Sequence, residues 1–320
     1  MKVCKTIPFP IQNEAVLTLE KIDEFEYLVD KAMDQKPYLV KYLADVDIKS
    51  PSTFNHSVLV ALNVYSRLCK DMDVEDIKQI ELDGKISKYT MAALVHDAGK
   101  LCTPDLILHS ADNFKNVNHS EGNRRMAIMH RHSIDGLDIA KKYGFSKEET
   151  SAVVLHHVDS IILDGAPQNG FHGAELSRDS WVQEFGKGYV DQMLSEECGW
   201  MNKEDVQIIK EISFCDIVEA LRTTERAYNG NKAKEWFAGE DGLAPSVYSI
   251  VMMDVANGKM DDRFLDIVKD NDFRREFDFM ENSGIENRVR SLVIEKATSF
   301  GIDVSENLSK DDDMREYAMG

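Results

Sequence analysis

The apolar helical run Met91-Ala92-Ala93-Leu94-Val95 ends on an imidazole and a carboxylate, His96-Asp97, and passes directly into Ala98-Gly99-Lys100. A buried helix end cannot leave a bare carboxylate unpaired, because its desolvation costs several kcal/mol or more. The fold must therefore bring positive charge to this point. His56 lies early in one helical stretch, His132 heads another, His156-His157 end a third, and Asp216 sits inside a fourth. Imidazole nitrogens and carboxylate oxygens are ligands for first-row transition metals, and Asp97 and Asp216 read as the only acidic groups within strongly apolar windows. Seven such ligands are too many for one ion. With one carboxylate bridging, they suit two ions a few ångströms apart, an arrangement that clamps a phosphoryl group and generates hydroxide at neutral pH.

The 320 residues are enough for one large core or two modest ones, with the apolar fraction of an ordinary globular protein. No window is long and apolar enough to span a bilayer, and Met1-Lys2-Val3-Cys4-Lys5 does not open a secretory signal, so a cytoplasmic location is expected. Cys4, Cys69, Cys102, Cys198 and Cys215 are scattered without a CxxC pair, which argues against a disulfide framework or a thiolate zinc site. Cys215 reads as a small core residue. A formal charge of -19 argues against a nucleic-acid polymer as partner, since such binding rests on Lys and Arg neutralising phosphates. A small anion gripped by metals and a few basic side chains remains compatible with it.

Helical periodicity dominates, which predicts an all-α fold. An amphipathic stretch runs from Glu14 to Leu43, interrupted near Pro37, and Ser50-Pro51-Ser52-Thr53 caps the helix carrying His56. Ser133 to Tyr143 forms a helix stopped by Gly144, and Ser146 with Glu149 has capping-box spacing for the helix that ends at His156-His157. Residues 158 to 200 read as the least regular part. Helix resumes near Asn202 with the stripe Ile209, Ile212, Asp216, Ala220, which puts a carboxylate where a hydrophobe belongs. Two further helices follow Ala244-Pro245, through Met253 and from Phe264 to Val268. Asp311-Asp312-Asp313 belong to a solvated acidic tail. The expected organisation is an N-terminal helical extension over 1–47, a catalytic domain over 48–275, and a C-terminal helix with acidic tail over 276–320. The extension either caps the core or carries a homodimer contact.

The ordered set His56-Ser57, HDAGK at 96–100 with Pro104-Asp105 and Leu108, His132 with Gly136, His156-His157, and Asp216 leading to Glu219-Ala220-Leu221 resembles the HD-GYP branch of the HD phosphohydrolase superfamily. The similarity runs from about residue 50 to about 275, ending in Gly258-Lys259-Met260-Asp261 with Phe264. It implies an HD-domain helical bundle with a binuclear metal centre. It assigns His56, His96, Asp97 and Asp216 to one ion, and His132, His156 and His157 with bridging Asp97 to the other. Lys100 matches the lysine that reaches a substrate phosphate. Some members bind a third ion through a glutamate one turn before the first histidine; Ser52 stands there, so two divalent ions are expected, iron or manganese suiting a histidine-rich set. The implied activity is hydrolysis of a cyclic dinucleotide, cyclic di-GMP or cyclic GMP-AMP, to a linear dinucleotide.

Three departures bear on the substrate. The DGxGYP motif is represented by Asp164-Gly165-Ala166-Pro167, displaced and without its tyrosine. The interval between His157 and Asp216 is longer than in the family, so a segment including Phe171-His172-Gly173, Trp181 and Gly188-Tyr189 is a candidate cover for the site mouth. The basic motif after Asp216 is altered, leaving Arg222, Arg226 and Lys232 as candidate substrate contacts. Two alternatives therefore stand beside the leading one: a hydrolase of another nucleotide or phosphoester, and a cyclic-dinucleotide sensor without turnover. The other histidines have simpler readings. His130 is a solvated neighbour and the fallback for His132, His109 and His119 are surface residues, and His172 is a weak candidate for the mouth. Met126, Met129, Met252 and Met253 read as core filling.

Overall fold

A computed structural model of the chain describes residues 11–70, 72, 80–82, 84–108, 125, 127–129, 131–158, 160–163, 166–169, 178–222, 235–237 and 246–303. The helices are α1 (Ile11–Gln35), α2 (Pro37–Lys49), α3 (Pro51–Leu68), α4 (Lys85–Val95), α5 (Asp105–Leu108), α6 (His132–Tyr143), α7 (Lys147–Leu155), α8 (Arg178–Phe185), α9 (Lys187–Cys198), α10 (Lys203–Arg222), α11 (Val247–Ala256), α12 (Arg263–Lys269), α13 (Asn271–Glu281) and α14 (Ile285–Ser299). A 3-10 turn over Ala98–Cys102 follows α4. The expected all-α fold is found, with one addition. Ser160–Leu163 (β1) and Ala166–Asn169 (β2) pair as a two-stranded antiparallel hairpin, with Ile162 opposite Pro167.

Helices α3, α4, α7 and α10 form the centre: α4 lies between α3 and α7, and α10 touches all three. Their sequences explain this position. In α3 buried residues occur on every side, from Phe54 through Val58, Leu62 and Tyr65, and α4 is buried from Tyr89 to Val95 without a polar face. Helices apolar all round belong in the middle of a bundle. The starts are set locally. Ser50 accepts from the Thr53 amide ahead of Pro51, and Ser146 with Glu149 makes the expected reciprocal capping box for α7. Gly144 takes the left-handed conformation that ends α6, with φ +74.

One continuous hydrophobic cluster includes Phe25 and Val29 of α1, Leu39 and Leu43 of α2, the central helices, and Val289 and Val293 of α14. Helix α14 packs on α1, α2 and α3. Among the described residues no helix is long and apolar enough to cross a membrane.

Three local expectations need correction. The interval 158–200 is more regular than its composition suggests, since α8 and α9 occupy much of it and α9 packs on α7. Trp181 does not cover an opening; it is 2 % exposed within the core, whereas Tyr189 is open to solvent. Met252 and Met253 do not fill the core: both are exposed, on the side of α11 away from buried Val247 and Val251. Cys215 is buried in α10 as expected, and desolvation pushes its thiol pKa up. Met129 is buried as expected. Met126, His109, His119, His130, His172, Asp164-Gly165 and Asp311-Asp312-Asp313 lie outside the described residues.

Candidate metal centre

Five helices deliver their polar residues to one point. His56 comes from the first turns of α3, His96 and Asp97 from the C-terminal end of α4, and His156 and His157 from the C-terminal end of α7. His132 is the first residue of α6, and Asp216 lies on the inner face of α10. Two glycines permit the approach. A Cβ on Gly99 would collide with the carbonyl oxygen of His132, and one on Gly136 with the Cγ1 of Val153. Without Gly99 the turn after Asp97 would not reach the start of α6.

The imidazoles are oriented from behind. His96 Nδ1 donates to the Ala93 carbonyl at 2.7 Å, His132 Nδ1 to the Met129 carbonyl at 2.7 Å, and His156 Nδ1 to the Ala152 and Val153 carbonyls at 2.9 and 3.0 Å. A carbonyl can only accept, so these rings carry their proton on Nδ1 and present a bare Nε2 inward. His56 is backed instead by a carboxylate, Glu219 Oε2, against its Nδ1. This is the arrangement in which outer partners set the tautomer of a metal-binding histidine.

Inside, the donor atoms converge. His132 Nε2 and His156 Nε2 stand 3.0 Å apart, and the buried His96 Nε2 has no hydrogen-bond partner. Asp97 divides the group: Oδ2 faces His56 Nε2 at 3.4 Å and His96 Nε2 at 3.7 Å, while Oδ1 faces His132 Nε2 at 3.3 Å and His156 Nε2 at 3.8 Å. Asp216 also reaches both halves, with Oδ1 at 2.8 Å from His56 Nε2 and 3.7 Å from His96 Nε2, and Oδ2 at 3.5 Å from His157 Nε2. Three sets of three have their donor atoms mutually within 4.8 Å: His132-His156-His157, His56-His96-Asp97 and His96-His156-Asp216.

This donor set fits divalent transition metal. Lone pairs on neutral imidazoles repel at 3.0 Å, and a cation between them turns repulsion into ligation. Burial works in the same direction. Desolvation first, then the neighbouring His96 and His132, push the His156 pKa down to about 3, which keeps it a neutral ligand. Burial would raise the Asp97 pKa, yet the Lys100 ammonium together with His96, His132 and His56 holds it well below the usual carboxylate range. For Asp216 burial is likewise outweighed, by the neighbouring imidazoles of His56, His96 and His157, and its carboxyl is held well below the usual range.

All seven residues expected as ligands are thus brought together. His157, with 20 % of its side chain exposed, is the most open of the five histidines and marks the approach from solvent. Lys100 is buried, and its ammonium contacts Asp97 Oδ2. Arg222, a candidate substrate contact, is turned toward α13: its guanidinium holds Asp278 at 2.7 Å and Glu281 at 3.0 Å and lies over the Trp236 ring. Arg226 and Lys232 lie outside the described residues.

The sequence placed Glu219 in the motif after Asp216 but gave it no role; it is 2 % exposed and backs His56. Its signal was its place three residues after Asp216, on the same helix face. Asp97 and Asp216, the acids expected within strongly apolar windows, are not the only buried ones, because Glu219 and Glu149 are buried as well. Glu149 is compensated by its capping amide, the Tyr38 hydroxyl at 2.9 Å and Lys36 at 3.1 Å.

No curated protein and no solved structure matches the chain. Asp216 and Glu219 lie beyond the segment that does find a family, and only the fold connects them to it. That segment, residues 53–198, includes His56, His96, Asp97, Lys100, His132, His156 and His157, and over this length the chain matches the family model of the HD domain.

Proposed function

We propose that the protein is a metal-dependent phosphohydrolase with a two-ion centre, acting as a phosphodiesterase that opens a cyclic dinucleotide to its linear form. The match to the HD domain supports the reaction class. The observation that carries the two-ion reading is the division of Asp97, whose two oxygens each face a different pair of imidazoles at 3.3–3.8 Å. One ion would be held by His56, His96, Asp97 and Asp216, the other by Asp97, His132, His156 and His157. Iron or manganese suits these ligands better than magnesium or calcium. Such ions, when bound, neutralise charge on a phosphoryl group and lower the pKa of water.

The chain's own residues do the rest. Helix ends fix the imidazoles before substrate arrives, so little reorganisation is needed on binding. Lys100, paired with Asp97 in the free site, is the one ammonium at the cluster among the described residues, and its Nζ would donate to a non-bridging phosphate oxygen. The surrounding core, with Val95, Leu155 and Tyr42 buried close by, keeps bulk water out and strengthens these interactions. The sequence motifs point to the HD-GYP branch and hence to cyclic di-GMP or cyclic GMP-AMP. The absence of the tyrosine from Asp164-Gly165-Ala166-Pro167 favours, as a second reading, another nucleotide or phosphoester as substrate.

Purified protein supplied with iron or manganese without oxygen is to be incubated with a panel of cyclic dinucleotides, linear dinucleotides and mononucleotides. Linear product from a cyclic dinucleotide, lost in Asp97→Ala, is the expected result. Turnover confined to other phosphoesters selects the second reading, and binding without product identifies a sensor and removes both.

A further inference from the structure

Helix α2 lies outside the segment that matches the HD domain, yet it packs on the 3-10 turn that begins directly after Asp97, as well as on α3 and α6. Its Tyr42 is 0 % exposed, and the ring meets Tyr143 of α6 edge-on at 5.6 Å and Phe145 at 5.2 Å. The ring alone accounts for this packing. Phenylalanine would fill the same space, so the hydroxyl needs a separate reason.

That hydroxyl is buried and makes no hydrogen bond among the described residues. The neighbouring Tyr143 hydroxyl, by contrast, donates to Asp45. The carboxylate whose charge acts on Tyr42 is Asp97, and after desolvation it is the main cause that pushes the phenol pKa well above its usual value. A buried O–H without an acceptor is costly, and folded proteins retain one where it has a task.

The cluster supplies the task. Four of its imidazoles are fixed on the ring nitrogen that turns away from the other donors, by the Ala93, Met129 and Ala152 carbonyls and by Glu219. Asp97 takes a proton from Lys100, and the function proposed above turns that ammonium to a substrate phosphate. A carboxylate that serves two halves of a site then needs a donor that substrate does not remove. Tyr42 comes from a different helix than Lys100 and is closed off from solvent, so substrate cannot compete for it.

We propose that Tyr42 is a positioning residue of the metal centre, its hydroxyl donating to the Asp97 carboxylate and steadying the two-sided arrangement of its oxygens. The inference rests on the metal-centre reading. It makes the N-terminal helices part of the site's outer layer, a role distinct from capping the core or carrying a dimer contact.

Tyr42→Phe tests it, because the variant loses one oxygen and keeps the ring. In protein stripped of metal, where the hydroxyl is unpaired, the unfolding midpoint of the variant should equal or exceed that of the wild type, since an orphan polar atom has been deleted. Manganese affinity, read by competition with a chromophoric chelator, should instead fall about tenfold. Tyr143→Phe is the control from the same ring cluster: it loses the bond to Asp45, so its midpoint should drop while its manganese affinity stays unchanged. A Tyr42 that serves packing alone cannot give these opposite responses. Wild-type affinity in Tyr42→Phe, a lowered midpoint in its stripped form, or an equal loss of affinity in Tyr143→Phe overturns the inference and leaves the metal centre standing. Wild-type protein that binds no manganese overturns both.

Discussion

His132 and His156 point their Nε2 atoms at each other across 3.0 Å while both Nδ1 atoms are committed to backbone carbonyls. Two bare lone pairs cannot rest at that distance without positive charge between them. The stability of the site should therefore depend on an ion. Adding manganese to stripped protein is expected to raise the thermal midpoint by several degrees, as binding to the native state alone does at saturating ligand. The shift should shrink sharply in His132→Ala, and an equal shift in that variant would contradict the assignment.

Asp97 should matter more for metal content than any single histidine, because each of its oxygens serves a different half of the cluster. Elemental analysis of protein prepared without oxygen is expected to give about two ions per chain. Asp97→Ala should lose both, whereas His157→Ala should retain the ion on the His56 side. Full occupancy in Asp97→Ala would be incompatible with bridging.

Glu219 backs His56 and would act on a bound metal through that ring. Glu219→Gln keeps the shape of the side chain but weakens the carboxylate that orients and polarises the ring, and a loss of about 10- to 100-fold in metal affinity is expected. Competition with a chromophoric chelator measures it. The fold should survive, so circular dichroism and the unfolding midpoint of the stripped protein should change far less than the affinity.

Gly99→Ala tests the close approach of the 3-10 turn to α6. The added methyl has to displace the His132 backbone, a rigid neighbour rather than a flexible side chain, so destabilisation of about 1–3 kcal/mol is expected in urea unfolding, with metal binding impaired as well.

The pH dependence of the stripped protein follows from His156. Folded, the buried ring stays neutral down to about 3; unfolded, it takes up its proton near 6.5. Between these values the unfolded state binds more protons, so stability is complete above about pH 6.5 and falls as the pH drops toward 3. Urea midpoints at pH 7.5 and 5 should differ in the wild type, and the difference should be smaller in His156→Gln.

Much of this was legible along the chain because it is local. Periodicity marked the helices, Ser50 and the Ser146–Glu149 pair marked their starts, and Gly144 marked an end, each through contacts within a few residues. The ligand types were legible as well, since a carboxylate ending an apolar helix demands a cation wherever the helix packs. Composition misled over 158–200, where exposed faces of α8 and α9 made helix look like loop, and at Met252 and Met253, whose apolar character says nothing about which way α11 turns. Which oxygen of Asp97 serves which imidazole, that Glu219 stands behind His56, that Arg222 turns to Asp278 and Glu281, and that α2 packs on the turn after Asp97 were decided only by tertiary structure. These relationships join residues from tens to well over a hundred positions apart. Their geometry depends on how whole helices cross, and periodicity read along one helix carries no information about that.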